Sequence, residues 1–152
     1  MKLCPTIIST CLCLVAMAQG EEASRRRNFN TENDVAMREF DPVTYFSNKP
    51  TKGNPKIYER YKGITYCFSN EANKEEFKKN PAKYEPAYGG WDAYSMAVNG
   101  ERIKVLPTVY KIIDGKIYLF YNFKNSNNLL KWNKEEKKLK KSADHNWIAK
   151  MH

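Results

Sequence analysis

Two glycine-containing turns, Lys62-Gly63 and Asp114-Gly115, constrain the architecture of this chain more than any other feature in it. Each stands between short runs of aromatic and β-branched residues: Lys56 to Tyr61 and Ile64 to Phe68 around the first, Val109 to Ile113 and Ile117 to Tyr121 around the second. A two-residue connection ending in glycine reverses the chain with the hand that matches strand twist, so both regions are predicted β-hairpins. The second hairpin carries apolar residues on both strand faces.

Helix signals surround the hairpins. Asp41-Pro42 suits an N-cap followed by proline at the first helical position and predicts a short helical turn. Ser69 or Asn70 opens a helix running to Asn80, with Glu71 near its start and Lys78-Lys79 near its end, as the helix dipole favours, and Pro81 stops it. Gly89-Gly90 precedes a small-residue helical stretch from Ala93 to Val98. A last helix is predicted from about Ser126 to Lys141, with Leu129, Leu130, Trp132 and Leu139 as its apolar stripe, followed by a short segment bearing Trp147 and Ile148. The fold class is therefore α+β: a small antiparallel sheet built from two β-hairpins, with three to four helices packed on it. No internal repeat is evident.

The N-terminus carries an address. Lys2 is followed by an uncharged stretch from Leu3 to Ala18 that ends in Ala16-Met17-Ala18, a small-x-small junction. This is the pattern of a signal peptide, residues 1–18, and it predicts an exported chain, periplasmic or secreted. Three of the four cysteines, Cys4, Cys11 and Cys13, fall inside that segment, so the processed chain keeps only Cys67 and has no internal disulfide. A core must hold it, and all seven Phe, ten Tyr and three Trp lie beyond residue 18. Residues 19–34, with Arg25-Arg26-Arg27 in a row, read as a flexible basic leader, and residues 35–152 as a single domain.

With 152 residues, 28% charged and a net charge of +9, the chain is too short for two comfortable domains and too polar for a transmembrane bundle. Its lysine-rich C-terminal helix reads first as a solvated face, with weak contact to anionic cell-envelope surfaces as the alternative. Export, rather than charge, disfavours nucleic acid. There is no phosphate loop, nucleophile elbow, His-Glu-x-x-His or paired-cysteine ligand motif after residue 18. The two histidines are His145 and the C-terminal His152.

Several phrases together resemble the YHS domain. They are Asp41-Pro42-Val43, Tyr61-Lys62-Gly63-Ile64-Thr65-Tyr66-Cys67-Phe68, Ser69-Asn70-Glu71 and above all Phe77-Lys78-Lys79-Asn80-Pro81-Ala82-Lys83-Tyr84. The similarity continues through Tyr88-Gly89-Gly90, Asp114 to Leu119 and Ala143-Asp144-His145-Asn146-Trp147, as in the longer, exported bacterial-type branch. In metal-binding YHS domains the resemblance implies soft thiolate ligands at three positions occupied here by Thr44, Ser69 and Asn73. A further cysteine of the exported branch is Asp92 here, and Cys67 stands at none of these positions, on the strand face opposite to its neighbour Phe68.

The resemblance with its ligands replaced implies a non-enzymatic binding domain, without a cofactor, for a small ligand or protein partner. The candidate ligand residues are Tyr88, Gly89, Gly90, Trp91, Asp92 and Tyr94, with the glycines letting a ligand approach the backbone. For Asp92 itself a helix N-cap is the favoured reading. The alternative is a transition-metal-associated protein, of copper or zinc type, with a repurposed site from Asp92, His145 and Cys67.

Overall fold

The computed structural model describes residues 5–151, with side chains from residue 17 onward. Helix α1 (Pro5–Asn28) is followed by two short strands, β1 (Thr31–Glu32) and β2 (Val35–Ala36), and by 3₁₀ turns at Met37–Glu39 and Pro42–Ser47. The first hairpin, β3 (Asn54–Tyr61) and β4 (Ile64–Phe68), leads into α2 (Glu71–Lys79) and α3 (Pro81–Tyr84). A 3₁₀ turn at Ala87–Gly90 enters α4 (Ala93–Asn99). The second hairpin, β5 (Tyr110–Ile113) and β6 (Lys116–Leu119), precedes β7 (Asn122–Phe123), β8 (Ser126–Asn127), α5 (Asn128–Trp132) and α6 (Glu136–Met151). The fold is α+β.

Both hairpins close as their turn residues require. Lys62 and Gly63 sit at φ 47° and 81°, Asp114 and Gly115 at 51° and 72°, which is the doubly left-handed turn that suits twisted strands. The two hairpins do not share one sheet, however. The first belongs to a four-stranded sheet of order β1-β2-β4-β3, in which β2 pairs parallel to β4 through Val35 and Thr65. The second forms its own two-stranded ladder, because the far edge of β6 is taken by the 86–92 segment, bridged at Pro86 to Ile117 and Asp92 to Leu119.

Strand β6 therefore has no solvent face, and its alternation serves two cores. Ile117 and Leu119 pack with Tyr45, Tyr66, Phe68 and Phe77. Tyr118 and the following Phe120 pack with Tyr88, Met96 and Trp132. The apolar residues on both faces of this hairpin are explained by its place as the wall between the two clusters.

Each hairpin is tied to a fully buried aspartate that caps the helical turn ahead of it. Asp41 Oδ1 accepts from the Val43 amide at 3.0 Å. Its Oδ2 accepts from the amide of Ser69, just past β4, at 2.8 Å and from Asn73 Nδ2 at 2.7 Å. In the second hairpin Asp92 Oδ2 accepts from the Ser95 amide at 2.8 Å, Oδ1 from the amide of Tyr121, past β6, at 2.8 Å, and Oδ2 also from Asn128 Nδ2 at 2.8 Å. The arrangement repeats although the sequence does not.

Two stretches depart from the sequence reading. Residues 19–34, expected to be a flexible leader, are built into the fold: α1 runs to Asn28, Arg25 and Asn28 are buried, and Ser24 Oγ donates to the Met151 carbonyl at 3.0 Å. Arg25 is tolerated inside because its charge meets Glu85 and its Nε donates to the Lys62 carbonyl at 3.0 Å. The expected Ser126–Lys141 helix is divided instead. Asn127 accepts from the amides of Leu129 and Leu130 and restarts the chain as α5, and a turn at Asn133 to Glu135 separates it from α6, which carries Trp147 and Ile148. The signal-peptide reading of residues 1–18 falls mostly outside the described side chains. No described helix is long and apolar enough to cross a membrane.

Phe77, ringed by Tyr61, Tyr66, Phe68 and Tyr84 at centroid distances of 4.9 to 6.3 Å, and Trp132 are both completely buried, whereas Leu130 is 62% exposed. Truncating either aromatic to Ala is expected to cost about 3–5 kcal/mol in urea unfolding. Leu130→Ala, on the stripe predicted from sequence, should change stability by less than about 0.5 kcal/mol.

Candidate functional site

The segment that sequence singled out, Tyr88 to Tyr94, is pulled in three directions. Tyr88, Gly89 and Gly90 all have left-handed backbones, at φ 53°, 60° and 84°. At Gly89 the glycine is required: a Cβ would lie 2.8 Å from Trp147 Cη2 and 3.0 Å from Phe29 Cα. The space that glycine opens is thus filled by the protein itself. Asn30 donates its amide to the Gly89 carbonyl at 2.8 Å and its Nδ2 to the Gly90 carbonyl at 3.0 Å. Trp91 Nε1 donates to the Asn28 carbonyl at 2.6 Å. Gly90 and Trp91 are fastened to the end of α1 and line neither cavity described below.

Tyr88 turns the other way, into a cavity of about 380 Å³ bounded by α1, the 85–89 segment, the second hairpin and α6. Its walls are the rings of Phe29, Tyr88, Tyr118 and Trp147. Tyr88 and Tyr118 meet edge to face at 5.5 Å, and Phe29 and Trp147 at 5.8 Å. The floor is the buried Arg25–Glu85 pair, with the guanidinium 4.3 Å above the Phe29 ring and the Tyr66 hydroxyl donating to Glu85 Oε1 at 2.6 Å. On α6, Asp144 accepts from Tyr88 Oη at 2.9 Å and from Lys140 Nζ at 2.9 Å. Burial, reinforced by the Asp144 carboxylate, pushes the Tyr88 phenol well above its ordinary pKa, so it stays a hydrogen-bond donor. Burial and then Glu85 do the same for Tyr66.

Tyr94 faces a second, separate cavity of about 410 Å³, with Tyr121, Ile103 and Asn128. Lys131 Nζ stands 5.4 Å over its ring. The single aromatic pocket expected from Tyr88, Trp91 and Tyr94 does not form, because successive residues of a tightly turned segment point to different sides. Sequence reasoning missed Arg25, Phe29, Glu85, Lys140, Asp144 and Trp147.

Asp92 is fully buried, and both carboxylate oxygens are engaged: besides the contacts above, Ser95 Oγ donates to Oδ2 at 2.6 Å. It is the α4 N-cap and the clasp of the second hairpin. His145 is exposed on α6, in a shallow depression with Ala97 and Lys141. Cys67 is buried on β4, where Gly53 packs so closely that a Cβ would lie 2.6 Å from the Cys67 carbonyl carbon. Among the described residues no three His, Cys, Asp or Glu side chains converge as a metal site, and Asp92, His145 and Cys67 are not brought together.

The three positions at which the resemblance implies thiolates do gather around Asp41. Ser69 Oγ donates to its Oδ2 at 2.7 Å, Asn73 Nδ2 donates to the same oxygen, and Thr44 Oγ1 donates to the Asp41 carbonyl at 2.7 Å. Neutral donors satisfying one carboxylate do not fit a soft cation. Comparison with family models, curated proteins and solved structures finds no match to this chain.

Replacing Asp92 with Ala would leave the Tyr121 amide and the Asn128 side chain without their acceptor, in addition to removing the cap. The expected cost in urea unfolding is about 2–4 kcal/mol, against about 1 kcal/mol for a cap alone. A loss of about 1 kcal/mol would reduce Asp92 to a simple cap. For Cys67, burial and then the nearby Glu39 carboxylate push the thiol up from its ordinary pKa. An aromatic disulfide reagent at pH 8 is expected to leave it unmodified until denaturant is added, and rapid modification of the native protein would contradict this.

Proposed function

We propose that the protein is an exported, non-enzymatic binding domain of YHS type that holds a small ligand in the cavity between α1, the second hairpin and α6. The observation that carries this reading is the cavity itself: about 380 Å³, walled by four aromatic rings and equipped with charged groups at its floor and rim. Ligand sites are typically concave, apolar over most of their lining and provided with a few fixed polar groups, in the range of roughly 300–1,000 Å³. Tyr88 and Gly89 are the candidates shared by the sequence reading and the cavity, and the Tyr88 phenol is held by Asp144 and kept protonated at neutral pH.

Its charged groups serve as anchors. No histidine or cysteine lines the cavity, and its tyrosines are held in the protonated state that suits hydrogen bonding rather than proton abstraction. Replacement of the thiolates by Thr44, Ser69 and Asn73 favours a family member whose metal site has become a structural network. Export rests on the signal-peptide pattern. Residues 17–23 of α1 are exposed, and Arg25, Asn28 and Phe29 are the first to be buried, so cleavage after Ala18 would keep the cavity wall.

The test is a titration of ¹⁵N-labelled protein, purified without a histidine tag, with single-ring aromatic compounds. Amide shifts are expected at Phe29, Tyr88 and Trp147. Shifts confined to Tyr94 and Tyr121, or none, would overturn this assignment. Titration with Cu²⁺ and Zn²⁺ is expected to leave the amides of Asp41, Ser69 and Asn73 in place, and saturable 1:1 shifts there would favour the metal-associated alternative instead.

A further inference from the structure

The cavity is electrically unlike the molecule around it. The chain carries a net charge of +9, yet three cations, Arg25, Lys116 and Lys140, and three carboxylates, Glu85, Asp114 and Asp144, line this space. Two opposed pairs are spent on each other, the buried Arg25 on Glu85 and the partly exposed Lys140 on Asp144. The remaining two sit at the Asp114-Gly115 turn, Asp114 within it and Lys116 just after it. Lys116 Nζ donates to the Ala82 carbonyl at 2.6 Å, and neither Lys116 nor Asp114 has an ion-pair partner among the described residues. One positive and one negative group without an ion-pair partner therefore stand at the mouth.

A second feature lies at the floor. The Glu85 side chain is nine-tenths buried, and Oε1 receives both Arg25 and the Tyr66 hydroxyl. Oε2 takes no hydrogen bond from the described residues, and no unpartnered buried side-chain atom exists among them, so Oε2 retains an opening. Glu85 is also one of the residues that line the cavity. An acceptor facing an aromatic-walled space rewards a ligand that brings an N–H group and penalises one that brings only carbon, because covering a carboxylate oxygen without replacing its water is costly.

Resting on the ligand-binding reading above, we infer that the ligand is a zwitterion carrying an apolar ring, of the aromatic α-amino acid class. Its ammonium group is received by Glu85 Oε2 at the floor or by Asp114 at the mouth, its carboxylate by Lys116, and its ring by Phe29, Tyr88 and Trp147. A ligand with one net charge would satisfy one of these groups and leave its opposite covered and unpaired. A phosphorylated or polyanionic ligand is disfavoured by the three carboxylates, despite the overall basic charge.

Isothermal calorimetry on the full-length protein with three probes separates the outcomes. L-phenylalanine carries both charges, 2-phenylethylamine only the ammonium and 3-phenylpropionate only the carboxylate. L-phenylalanine is expected to bind at least tenfold tighter than either relative. Lys116→Gln, a change at the rim that spares the core, should weaken L-phenylalanine by about fivefold or more and leave 2-phenylethylamine unchanged. Either Glu85→Gln or Asp114→Asn should weaken both amines and spare 3-phenylpropionate, and if neither does, the zwitterion inference fails. If either singly charged probe matches L-phenylalanine, or if Lys116→Gln affects none of the three, the zwitterion inference fails while the cavity remains a ligand site. If none of the three gives a saturable heat and the aromatic compounds of the preceding titration leave Phe29, Tyr88 and Trp147 unshifted, the ligand-binding reading itself has failed.

Discussion

Two carboxylates with no access to water, Asp41 and Asp92, hold the two hairpins of this protein in place. Each performs three tasks at once: it caps a helical turn, takes the backbone amide that emerges from the second strand of the following hairpin, and accepts an asparagine side chain from the helix after it. A buried charge is expensive in isolation, and several charge-assisted hydrogen bonds from neutral donors offset that expense without a counter-ion. The consequence is topological. Strand ends that short ladders alone would leave fraying are fixed relative to their helices, and Cys67 takes no part in holding them.

The second hairpin shows what this fixing makes available. With one edge of β6 paired to β5 and the other bridged to the 86–92 segment, its side chains divide between two cores. Two clusters that meet along a single strand leave a seam at its end, where the Asp114-Gly115 turn, α6 and the C-terminal part of α1 converge. Trp147, packed against both clusters, sits on that seam. The cavity is thus a product of how the two cores join, and it draws residues from four parts of the chain.

That origin explains what could and could not be read from sequence. Local signals were legible wherever one residue determines its own backbone: Asp41 and Asp92 as caps, Asn70 before α2, glycine at both hairpin turns. The helix expected over 126–141 failed because the periodicity of Leu129, Trp132 and Leu139 continued through asparagines that restart and interrupt the backbone at 127 and 133. The aromatic phrase from Tyr88 to Tyr94 reads as one pocket in sequence, but adjacency in sequence is not adjacency in space. Three consecutive left-handed residues rotate its side chains apart, and only Tyr88 and Gly89 reach the cavity. Arg25 was one of three arginines in a row, and nothing local distinguishes the one that finds Glu85.

Arg25 also links the export reading to the binding reading. A tri-arginine run after a signal-like segment is ordinarily solvated, but here the first of the three lies beneath the cavity, stacked on Phe29 and bonded to Glu85 and to the Lys62 carbonyl of the first hairpin's turn. Arg26 and Arg27 remain exposed. The N-terminal helix is therefore structural from Ser24 onward, and the cavity wall is complete only when that turn of helix is docked on the domain. Its position joins the first hairpin, through Lys62, to the site at the end of the second, through Glu85, so one guanidinium couples the closure of the N-terminal segment to the shape of the aromatic space above it.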